Sequence, residues 1–105
     1  MAIVFEHKGT QYTLEFSRDS VKQLERSGFN YEEAGAKPIT TLMTLFKGSF
    51  LMHHPRVSQA TIDEIWESLG DKDGLFDALA GLYSEPIESL MKEPDEGKKI
   101  AWRVK

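Results

Sequence analysis

Residues 38–53 place Ile39, Leu42, Met43, Phe46 and Phe50 on one helical stripe, while Leu45, Leu51 and Met52 point elsewhere around the same cylinder. A helix that is apolar on more than one face has two ways to exist in water. It is the wholly buried central helix of a domain, or a partner chain covers its second face, because monomers rarely leave large apolar patches open. Either way the segment is the pivot of the fold. Pro38 suits its first turn and Pro55 stops it.

The flanking sequence supplies neighbours for that pivot. Ile3 and Phe5, then Tyr12, Leu14 and Phe16, alternate with polar residues on either side of Lys8-Gly9, which predicts a β-hairpin with a tight turn. Ser17 has the chemistry of an N-cap, Asp19 favours the positive end of a helix dipole, and Phe16 is placed to staple onto Val21. The first helix therefore starts there. It stops at Gly28, with Phe29 folding back toward Leu24. Residues 30–37 have no clear period and read as a loop.

Beyond Pro55, Ser58 can cap a third helix, with Thr61-Ile62-Asp63-Glu64 offering a second capping-box register; Ile62, Ile65, Trp66 and Leu69 share one face and Gly70 closes the helix. Asp71 or Asp73 opens a fourth, with a stripe of Leu75, Leu79, Leu82 and Tyr83. Pro86 removes an internal hydrogen bond and predicts a kink or restart near Ser84. After the polar, Pro- and Gly-containing residues 93–99, Ile100, Trp102 and Val104 alternate with Ala101, Arg103 and Lys105, enough for a short strand that joins the hairpin or stays a free tail. The expected fold is α+β and mostly helical: an N-terminal β-hairpin, a bundle of about four helices, and a short C-terminal strand or tail. The domain is assigned to residues 1–92, and residues 93–105 are the polar linker and C-terminal tail.

Composition narrows the function classes. A chain of 105 residues holds one core, and a domain of this size often gains stability by self-association. There is no cysteine, so thiolate chemistry, disulfides and Cys-based metal sites are excluded, and a reducing cytosol is the expected setting. No apolar run is long enough to span a membrane, and the N-terminus meets a charge too early for a secretory leader. Seventeen acidic residues against thirteen basic give a net charge of −4, which opposes the counterion release that drives nucleic-acid binding.

No residue pattern carries catalysis. The histidines are His7, His53 and His54, and adjacent histidines on a helix point apart, so a metal site is not expected; the last turn of the second helix, where the dipole favours imidazolium, accounts for the pair. Asp63, Glu64, Glu67, Asp71 and Asp73 read as helix starts and solvated faces. No nucleophile elbow or phosphate-cradling glycine cluster is present. The chain is therefore expected to be no enzyme, to need no cofactor, and to act by binding protein. The candidate partner-binding residues are Leu45, Leu51 and Met52, as the lining of a groove, and Trp102, isolated in a polar tail. Residues 83–91 read either as a docking ridge or as plain core with a solvated face.

The order of these features resembles a known family, the small tail assembly chaperones of long-tailed (siphovirus-like) bacteriophages and prophages. The resemblance rests on the hairpin followed by Tyr12-Thr13-Leu14-Glu15-Phe16-Ser17-Arg18-Asp19-Ser20-Val21 and Leu24-Glu25-Arg26-Ser27-Gly28-Phe29. It continues in Phe46-Lys47-Gly48-Ser49-Phe50-Leu51-Met52-His53-His54, Thr61-Ile62-Asp63-Glu64-Ile65-Trp66 and Leu82-Tyr83-Ser84-Glu85-Pro86-Ile87-Glu88-Ser89-Leu90. It implies a homo-oligomeric protein of the bacterial cytosol that binds and solubilises the tape-measure protein and recruits tail-tube subunits. It also implies a longer product made by ribosomal frameshifting in many such proteins, which an A-rich run encoding Gly97-Lys98-Lys99 would permit. A small structural virion protein, a head–tail connector or tail-completion subunit, would show the same size and charge; a host-directed regulator is a third reading.

Overall fold

The computed structural model describes residues 1–105. Strand β1 (Ile3–His7) pairs antiparallel with β2 (Thr10–Leu14), Ile3 opposite Leu14 and His7 opposite Thr10. Lys8 and Gly9 both have positive φ, 50° and 81°, so the two-residue turn is of the primed type whose twist matches that of the strands. Alternation then turns Ile3, Phe5, Tyr12 and Leu14 toward the helices.

Helix α1 (Arg18–Arg26) opens on a reciprocal serine box: Ser20 N–H donates to Ser17 Oγ at 3.1 Å and Ser17 N–H to Ser20 Oγ at 2.8 Å. It ends on a Schellman motif. Phe29 N–H donates to the Leu24 carbonyl at 3.1 Å and Gly28 N–H to that of Glu25 at 3.0 Å, with Gly28 at φ 96°. The expected loop contains one short 3-10 segment, Tyr31–Gly35, capped by the Asn30 side chain. Helix α3 (Gln59–Ser68) is capped by Ser58, and α4 (Lys72–Met91) by Asp71. The mostly helical α+β architecture expected from the sequence is the one observed. No helix is long and apolar enough to cross a membrane.

Helix α2 (Pro38–Gly48) departs from expectation in three ways. It stops five residues early, and residues 49–53 form turns, so His53 and His54 are not in a last helical turn. Its buried face is Thr41, Leu45, Phe46 and Gly48, continued by Ser49 and Phe50, whereas Ile39 at the helix start is 79% exposed. Leu45 is wholly buried and belongs to the core, not to a groove. Periodicity gives the width of an apolar stripe; the neighbours decide which part of a wide stripe they cover.

Twelve side chains close the core: Leu14 and Phe16 from the hairpin and its exit, Val21 and Leu24 from α1, Leu45, Phe46 and Phe50 from α2 and the turn after it, Ile62 and Ile65 from α3, and Leu79, Leu82 and Tyr83 from α4. Trp66 packs edge-on against Phe46 and carries Lys72 over its ring, which makes it structural. Helix α4 runs through Pro86 without restarting; Ser84 donates to the Ala80 carbonyl instead of capping a new helix. The C-terminal residues form no strand, and residues 91–105 are all exposed, so of the two expected arrangements the free tail is the one adopted.

Candidate partner-binding surfaces

Helix α1 is a ridge between two clefts. On one flank Gln23, Leu24 and Ser27 meet Met43, Thr44, Lys47 and Gly48 of α2, with Leu51 and Gln59 closing a cleft of about 470 Å³. Leu24, Met43 and Leu51 make its apolar floor. On the other flank Arg18, Val21, Lys22 and Glu25 face Pro86, Ile87 and Leu90 of α4 across about 390 Å³. Both clefts combine an apolar floor with a polar or charged rim, the form of grooves that take the apolar stripe of an amphipathic helix.

The seat of the Leu24 side chain on Gly48 sets the first cleft. A Cβ placed on Gly48 would lie 2.6 Å from Leu24 Cδ1 and 2.8 Å from Cδ2, so α1 rests directly on α2 there. The second cleft is braced at its α4 end by Arg18, whose guanidinium donates to Ser89 Oγ at 3.1 Å. The turn of α4 that follows ends in Leu90 and Met91, 62% and 76% exposed; in the segment Tyr83–Met91, Tyr83 and Pro86 point in, and Ile87, Leu90 and Met91 point out.

Of the four partner-binding residues expected from sequence, the structure brings one, Leu51, into one of the two clefts beside α1. Met52 is 44% exposed in the turn beyond α2 and does not line that cleft, Leu45 is in the core, and Trp102 projects from the tail at 83% exposure. Met43, Ile87 and Leu90 take the remaining places. Gly48 was the available signal: a glycine inside an apolar helix marks a place where a neighbouring side chain can sit directly on the backbone, and the residues beside it on the wheel line the resulting groove.

The charged groups serve the fold. The Lys8 ammonium bonded to Glu64 holds that carboxyl below its ordinary value of 4.5, against a smaller opposing effect of desolvation, with His7 adding to the shift from 3.6 Å. Burial among Phe16, Phe29 and Tyr31, and secondarily the charge of Glu25, push the Tyr83 phenol above 10.0. His53 pairs with Glu15 at 2.8 Å and His54 accepts from the Thr13 backbone, so both tie the turn after α2 to the hairpin. No three His, Asp or Glu side chains converge as metal ligands. A polar cleft of about 190 Å³ beside Thr40, Thr41 and Thr44 has Phe29 as its one apolar wall.

The sequence matches, across residues 1–105, the family described as "Domain of unknown function (DUF5055)". No curated protein and no solved structure matches it.

Proposed function

The chain belongs to that family over its whole length, and we propose that it is a tail assembly chaperone of long-tailed bacteriophages, acting in the infected cytosol without enzymatic chemistry. In this reading it binds the helical tape-measure protein, keeps it soluble and recruits tail-tube subunits. The observation that carries the proposal is the pair of apolar-floored clefts on either side of α1, which suits a client made of amphipathic helices. Met43 in one cleft and Met91 beside the other add adaptable surface, useful where many similar helices must be held by one chain. The order of sequence features that resembles the chaperone family supports the same choice of client.

Co-expression with a tape-measure protein from the same genome tests it. Solubilisation of that protein and its co-elution with this chain are expected. If the long protein stays insoluble and this chain elutes alone, the chaperone reading fails; if the chain is instead found in purified virions, a connector or tail-completion subunit replaces it.

A further inference from the structure

The two edges of the hairpin differ. With a two-residue turn and His7 opposite Thr10, the residues of β1 that exchange backbone bonds with β2 are Ile3, Phe5 and His7. On the far side of β2 the turn after α2 supplies acceptors: Thr13 N–H donates to His54 and, just past the strand, Glu15 N–H donates to the Ser49 carbonyl at 3.0 Å. On the far side of β1 the N–H and C=O groups of Val4 and Glu6 face outward, and no other strand joins the sheet. Val4 is 55% exposed, while Ile3 and Phe5 are only half covered. An open edge of this kind is a template for a further strand.

The same chain carries a segment fit for that edge. Ile100, Trp102 and Val104 are 89%, 83% and 86% exposed and alternate with Ala101, Arg103 and Lys105. Residues 98–105 hold four basic side chains and no acidic one; since the whole chain is −4, residues 1–97 carry −8. The arm is therefore opposite in charge to the body. It also leaves the body: the radius of gyration is 16.4 Å, against about 13 Å for a compact domain of this length, and the long dimension is 56 Å.

We infer that residues 100–104 of one copy add as a third strand to the β1 edge of a second copy. Running parallel to β1 with Arg103 beside Glu6, the arm puts Ile100 beside Ile3, Trp102 beside Phe5 and Val104 beside His7 on the inner face, where they cover the open sides of Ile3 and Phe5. Backbone bonds to Val4 and Glu6 supply affinity, and the tryptophan supplies the anchor. Reciprocal exchange of two arms buries on the order of 1,000 Å², the region where specific interfaces begin. This inference stands on the hairpin and the tail alone and does not depend on the chaperone reading.

Sedimentation equilibrium on the full-length chain and on Trp102→Asp, which alters a side chain lacking contacts with the body, is the first test. The full-length chain is expected at twice 11.9 kDa or more, with self-association at least tenfold weaker in the variant and an unchanged circular dichroism spectrum. Because the chain has no cysteine, mixing Glu6→Cys with Arg103→Cys chains should give a disulfide-linked heterodimer under mild oxidation. A full-length chain that is monomeric at every concentration, or self-association that Trp102→Asp leaves untouched, overturns the inference. So does a Glu6→Cys/Arg103→Cys double variant that closes only within single chains, which would assign the strand to its own body.

Discussion

The backbone N–H of Thr13 donates to Nε2 of His54 at 3.0 Å across 41 residues of sequence, fastening the outer edge of β2 to the turn that follows α2. The His54 ring also lies against Tyr12, 5.0 Å between centroids, and near the edge of Phe50. One side chain thus satisfies a strand-edge donor and completes an aromatic cluster. It accounts for a histidine that sequence alone had placed in a helix terminus.

Two substitutions separate these roles. His54→Phe keeps the ring but orphans the Thr13 N–H, and is expected to cost about 1 kcal/mol; His54→Ala loses both and costs about 2–3 kcal/mol. Thermal denaturation reads the difference, at about 4–8 °C for each kcal/mol in a domain near this size. Equal melting temperatures for the two variants would show that the ring packing contributes nothing, and a His54→Phe variant that melts with the parent would show the same of the hydrogen bond.

Gly48→Ala should be destabilising even though alanine is the better helix former. The added methyl lies within 3 Å of both Leu24 methyls, so α1 must shift or Leu24 must change rotamer, at about 1–3 kcal/mol. Leu24→Ala opens the space, so the double variant should lose less than the two single losses combined. Additive losses in urea melts would place the strain elsewhere.

For Glu64 the folded pKa is depressed, so its contribution to stability is present above 4.5 and is lost as pH falls through the lower folded value. A carboxyl titration followed by NMR should give a midpoint below 4.5, and Lys8→Ala should move it back up. An unmoved midpoint in the variant would assign the shift to another group.

The two leucines near the end of α2 should behave oppositely. Leu45→Asp buries a charge in the core and is expected to abolish cooperative folding. Leu51→Asp, at the half-buried floor of the α1–α2 cleft, should leave a folded chain whose proposed capture of a tape-measure protein falls at least tenfold. Circular dichroism and co-purification from a co-expressing strain separate the two effects.

Local chemistry alone determined the hairpin turn at Lys8-Gly9, the cap at Ser17 and the stop at Gly28, and narrowed the starts of α3 and α4 to Ser58 or Thr61 and Asp71 or Asp73, because each of these signals is completed by atoms within a few residues of itself. The mostly helical α+β class follows from them. Tertiary structure decided what those signals leave open. It placed Leu45 inward and Ile39 outward on a helix whose pattern allows either, since burial depends on which neighbours arrive. It ended α2 at Gly48 and gave residues 49–54 to the hairpin, where Ser49 and His54 meet backbone donors that no local pattern reveals. It carried α4 through Pro86 without the restart that was one of the two expected outcomes. It also left residues 100–104 unpaired despite their strand-like alternation, because a strand is completed only by the edge it pairs with, and that edge lies elsewhere in the assembly we infer.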